Sequence, residues 1–359
     1  MPWKTSTQPS DSSGVLGVVL NILVGTFKVL EALWKVTRVV VDTMFSAEDH
    51  PITATKDCMA STSNDSPNVA TPLINKDDDD AETCGSCIAA EYRVRNFRLE
   101  YSYPGAFAQS QCGNQIWYIV WKVFGVIFTV SITAISIALA SSHVETSADS
   151  AKWLIYQSNW SLLMLTASAV VEFVIAVHVQ QHRQHLITGK PGSHQMPWEL
   201  KLCWVLYNIS TPAAFFATII FWSVVHTHSS HSFLYLSLLS HGLNAIYALL
   251  NLIITAIPSR ILHFYQPLGY ALLYVIFTAI YQLSGGTNYQ YQSAIYPVFD
   301  WYRPGMTLGF LAAVVVLVVA MHGLVCIIAF LRALVVSKFK TAHEVEKPRT
   351  VESYQLQSP

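Results

Sequence analysis

Six times between Val123 and Leu331 the chain runs for about 20 residues with little or no charge, the length that crosses the hydrocarbon core of a bilayer. A backbone surrounded by lipid must satisfy its own hydrogen bonds, so such runs fold as helices. The runs are Val123–Ser142, Trp153–Val177, Leu202–Val225, Phe233–Ile257, Ile261–Leu283 and Met306–Leu331. The fold class they imply is all-α, a six-helix transmembrane bundle. Composition agrees: 52% of the 359 residues are hydrophobic and 12% charged, about half the charge of an average soluble domain. With 21 Lys and Arg against 22 Asp and Glu, the chain has no cationic excess for nucleic acid. The expected partners are membrane lipids and other membrane proteins.

Aromatic residues flank these runs as they do at membrane interfaces: Trp117, Tyr118 and Trp121 before the first, Trp153 at the second, Trp198 before the third, and Tyr296 and Trp301 before the sixth. Arg98, Lys122, Arg183, Lys190, Lys201, Arg260, Arg332, Lys338 and Lys340 fall on one side if six helices alternate, and only Lys152 and Arg303 on the other. Nine against two predicts that both termini are cytoplasmic. The first helix is expected to serve as the insertion signal. Upstream, residues 1–46 contain Gly14–Phe45, in which Lys28, Glu31, Lys35 and Arg38 give an apolar stretch one charged face. That pattern predicts an amphipathic helix on the membrane surface. Residues 47–92, with Asp77 to Asp80, read as a disordered acidic cytoplasmic linker. Residues 93–335 form the six-helix domain and 336–359 a polar cytoplasmic tail.

A few polar residues interrupt the apolar runs. Ser237, His241, Asn244, Ala248, Asn251 and Thr255 recur at steps of three or four, so they share a face that is expected to point into the bundle. The second run carries Ser158, Asn159, Ser161, Thr166, Ser168 and Glu172; the third carries Asn208, Ser210 and Thr211 ahead of Pro212, which predicts a kink. Small hydroxylated residues often serve only to join membrane helices. His241 and Glu172 stand apart, because ionisable groups inside a membrane are rare and tend to be functional. Three histidines, His178, His182 and His185, continue the second helix, while His226, His228 and His231 fall on the opposite side. Two groups so separated do not make a metal centre. Cys84-Gly-Ser-Cys87 supplies two of the four ligands that a structural zinc site needs, and reads as incidental or as a lipidation target. No cofactor or metal is expected. Asp300 and Arg303, in the loop before the sixth helix, are placed to form a local ion pair.

Taken in order, "FRLEYSYPGAFAQSQ", "WLIYQSNWSLLMLT", "KLCWVLYNISTPAAF", "HGLNAIYALLNLIITAIPSRILHF", "YALLYVIFTAIYQLSGGTN" and "IYPVFDWYRPG" resemble segments of the Rolling stone family of multi-pass membrane proteins, over about Phe97 to Leu331. The resemblance implies a plasma-membrane protein acting in cell–cell interaction or fusion, such as myoblast fusion. A second similarity reaches the androgen-induced protein family, six-helix membrane hydrolases that cleave fatty acid esters of hydroxy fatty acids with a Thr nucleophile and a His. Here "LIYQSNW" lies over the nucleophile motif and "SHGLN" over that family's "NHGMH". That similarity implies an intramembrane lipid ester hydrolase using Ser158 and His241, with Asn244 where the family has its catalytic His. Ser can replace Thr as a nucleophile, but a neutral amide cannot take its proton. The expectation is therefore a protein without catalysis, in which His241 ties helices together. A transporter or channel ranks third, because the sequence shows no acidic and basic residues paired across the helices.

Overall fold

The computed structural model describes residues 91–111, 115–142, 147–188, 195–222 and 241–346. Six helices dominate them: α1 Gln115–Ser142, α2 Gln157–His182, α3 Trp198–Ile220, α4 Leu243–Ile254, α5 Tyr265–Leu283 and α6 Pro304–Glu346. No β-strand occurs among the described residues; a single isolated antiparallel bridge joins Ser110 to Thr255. Five spans are long and apolar enough to cross a membrane, at Gln115–Ser142, Gln157–His182, Trp198–Ile220, Ile261–Leu283 and Pro304–Val336. The fourth run is described only in part. Its helix α4 has 12 residues, and residues 223–240 lie outside the described residues, as do Ser237, His226, His228, His231, the amphipathic segment Gly14–Phe45 and most of the acidic linker.

Local chemistry sets the helix ends. α1 starts at Gln115, so Trp117, Tyr118 and Trp121 lie within it rather than ahead of it. Trp153 sits in a 3-10 turn, Lys152–Ile155, after which extended Tyr156 begins α2. Pro197 precedes α3 and Pro304 opens α6, positions where a missing N–H costs nothing. α3 continues as helix through Pro212. α4 stops because Thr255 turns extended (ψ 149°), and Ala256 N donates to Gln109 O at 3.0 Å. The Arg332 guanidinium then takes up the buried carbonyls at this end: Nη1 donates to Leu252 O at 2.5 Å and Thr255 O at 2.7 Å, and Nη2 to Ile257 O at 3.0 Å. A cation at a helix C-terminus also complements the dipole.

α2 lies at the centre, packed most extensively on α3 and α1. Beneath it the 3-10 turn Pro104–Ala108 enters the end of the bundle, with all five residues buried. Phe107 meets Trp204 edge-on at 5.3 Å, and both are fully buried in the main core with Tyr207, Tyr247 and Leu252. Gly105 lets this plug approach the backbone of Leu186 and Ile187: a Cβ would come within 2.9 Å of Ile187 Cα and closer still to Leu186 O.

Candidate functional site

One face of α1 carries Tyr118, Lys122, Gly125 and Thr129, three or four residues apart and all buried. It meets Glu172 of α2 and Asn251 of α4. Lys122 Nζ lies 2.5 Å from Glu172 Oε2 and donates to Asn251 Oδ1 at 2.9 Å. Asn251 Nδ2 returns a bond to Glu172 Oε2 at 3.0 Å, Trp121 Nε1 donates to Asn251 Oδ1 at 3.0 Å, and Ser168 Oγ donates to Glu172 Oε1 at 2.9 Å. The Lys122 ammonium also lies 4.8 Å from the centre of the Tyr118 ring. Three helices are thus joined by a closed, net-neutral network. Gly125 makes room for it, because a Cβ there would strike the Tyr247 ring, which stacks on Trp121 at 5.7 Å.

This centre corrects two expectations. Lys122 is not a cation flanking the membrane; it is 1% exposed inside the bundle. And acidic and basic residues are paired across the helices, so that argument against transport falls. The sequence hides the pair because its first uncharged run begins at Val123, one residue past Lys122. Extending the helix back through its aromatic residues would have put one lysine in the first span and one glutamate in the second, a combination that points to pairing. Of the expected inward stripe, Asn244, Ala248 and Asn251 share a buried face of α4, Thr255 is buried just past its end and His241 is half-buried ahead of it, while Ser237 lies outside the described residues.

A second buried cluster ties α3 to α5. Asn208 Nδ2 lies 3.0 Å from both His263 Nδ1 and Gln266 Oε1, and Trp204 Nε1 donates to Pro258 O at 2.7 Å. At the other end, Tyr156 stacks on Tyr289 at 5.5 Å, and Tyr296 OH accepts from Gln157 N at 3.1 Å. Burial raises the Tyr296 hydroxyl to about 12, and Tyr156 is raised for the same reason. The expected Asp300–Arg303 pair is present at 3.7 Å, though Asp300 also accepts from Gln282 Nε2 at 2.8 Å.

Ser158 lies in the first turn of α2, half-buried. His241 lies just before α4, its ring stacked on Phe221 at 3.9 Å and its carbonyl accepting from Thr218 Oγ1 at 2.5 Å. These contacts join α4 to α3. His241 Nδ1 is buried and has no hydrogen-bond partner among the described residues. Asn244 is buried one turn further along α4. No hydrogen bond joins Ser158 to His241 or to Asn244.

The long apolar helices and the charge pair closed inside them define a multi-pass, all-helical membrane protein in contact with lipid. The chain belongs to the Rolling stone family: the family described as "Rost: Protein rolling stone" matches residues 79–348. It is 28% identical over 158 residues to the protein rolling stone of Drosophila melanogaster, a match covering 43% of this chain and 58% of that relative. The matched part is thus under two thirds of the fly protein's length. No solved structure matches the chain.

Proposed function

We propose that the chain acts without catalysis in cell–cell interaction or fusion, such as myoblast fusion, as a plasma-membrane protein with cytoplasmic termini. That setting is what the resemblance to the Rolling stone family implies, and the chain's membership of the family is its support. The observation that carries the non-catalytic reading is the Lys122–Glu172–Asn251 centre, where Glu172 Oε2 and the Asn251 oxygen already accept bonds from neighbouring helices and Glu172 Oε1 accepts from Ser168 of its own helix. Its charges are spent on holding the bundle. One observation favours a second reading: His241 Nδ1 is buried without a hydrogen-bond partner among the described residues, and in the tautomer that leaves this nitrogen unprotonated it would serve as the base that lipid ester hydrolysis by Ser158 and His241 requires.

The test depletes the chain from fusion-competent cells and restores the parent, Ser158→Ala, His241→Ala or Asn244→His at matched surface abundance, reading content mixing. The expected result is a fusion defect that the parent and both alanine variants rescue. Normal fusion after depletion would sink the fusion role. Failure of both alanine variants, together with parent activity on a lipid-ester panel and labelling by a fluorophosphonate, would give the hydrolase reading precedence. General-base help is typically worth 10²–10⁴ in rate, so a working dyad is easily detected.

A further inference from the structure

Ahead of the plug, "YRVRNFR", Tyr92 to Arg98, packs an unusual density of arginine and apolar side chains onto one short turn. The 3-10 turn Val94–Phe97 is fixed to the bundle. Asn96 is buried and donates from Nδ2 to Glu91 O at 3.0 Å, Tyr265 OH donates to Phe97 O at 3.1 Å, and the Phe97 and Tyr265 rings stack at 6.1 Å. Tyr265 opens α5, so the turn sits at the end of the bundle where α1, α3 and α5 begin. Trp117 and Trp198, 70% and 74% exposed, mark that end at the starts of α1 and α3 as interfacial aromatics do.

Held in this way, the turn leaves Val94 80% exposed, with Tyr92, Arg93, Phe97 and Arg98 exposed around it. The neighbouring acids are otherwise engaged. Glu100 pairs with Lys201, and Glu91 is half-buried, its carboxyl raised by burial against the pull of Arg260. No carboxylate among the described residues pairs with Arg93 or Arg98. Apolar side chains beside guanidinium groups that no described carboxylate engages, at the level of the interfacial tryptophans, match the boundary between acyl chains and headgroups.

We propose that Arg93 and Arg98 bind the phosphate of an anionic glycerophospholipid, with Val94 and Phe97 seated in its acyl region. The turn is then a lipid clamp at the entrance to the plug. A soluble phosphorylated ligand would satisfy the arginines but leave Val94 bare in water.

The full chain is to be purified from bilayers containing phosphatidylserine and phosphatidylcholine, and the retained lipids counted by native mass spectrometry. The parent is expected to retain phosphatidylserine in preference. Arg93→Gln/Arg98→Gln should lower that preference about tenfold, since each cation near an anionic surface contributes several-fold in affinity. Arg93→Lys/Arg98→Lys, which keeps the charge, should retain most of it, and Val94→Asp should lose it. No preference in the parent, or an undiminished one in the glutamine variant, would overturn the clamp. So would displacement of the lipid by glycerophosphoserine or inorganic phosphate, which would assign the arginines to a soluble ligand. Equal loss in the lysine and glutamine variants would reduce the turn to a folding element and also end the proposal.

Discussion

Lys122 and Glu172 leave water together, and each ion so buried costs several kcal/mol that attraction between them recovers only if their remaining bonds are also made. Asn251, Trp121 and Ser168 make those bonds. The network therefore adds little net stability over an apolar core, but it admits only one rotation of α1, α2 and α4 relative to each other. Removing one partner strands the other charge. Lys122→Met or Glu172→Leu alone should cost about 3–5 kcal/mol, whereas the double change should cost much less than their sum. Thermal unfolding of the four proteins in one detergent measures the coupling; additive losses would show that the two charges do not hold each other. Glu172 was recognisable from sequence as a rare ionisable group in a span. Its partner was not, because an alternating-helix count treats a lysine near a helix start as an interfacial charge.

At the scale of elements, the plug Pro104–Ala108 and the end of α4 depend on one another. The Ser110–Thr255 bridge joins the segment after the plug to the end of α4, and Arg332 of α6 binds the carbonyls at that end. Gly105 sets how closely the plug can enter. Gly105→Ala puts a methyl group against backbone atoms of Leu186 and Ile187, which cannot rotate away, and should destabilise by about 1–3 kcal/mol. Gly309→Ala on α6 meets nothing within 4 Å and should be neutral or raise stability by up to about 1 kcal/mol. Melting temperatures of both variants against the parent decide this, and equal behaviour would show that the close approach at Gly105 is unimportant. No periodicity signals the plug, since a five-residue turn is too short to show one; only its Pro-Gly pair marks it as irregular.

For the whole molecule, the structure revises the charge tally behind the topology. Lys122 is buried and Arg332 binds backbone carbonyls, which leaves seven flanking cations against two. The asymmetry survives and keeps its sign. An engineered glycosylation acceptor in the 284–303 loop should therefore be glycosylated in cells, one placed in residues 189–194 should stay bare, and the natural Asn64 sequon should carry no glycan; sugar on Asn64 would refute cytoplasmic termini. Class, approximate span positions and the inward polar face of α4 were legible in the sequence, because bilayer thickness and the 3.6-residue turn turn a linear string into lengths and faces. Which polar groups meet was decided only by tertiary packing. Lys122 reaches Glu172 across 50 residues and Asn251 across 129, and such meetings depend on helix rotation and crossing, which no local pattern encodes.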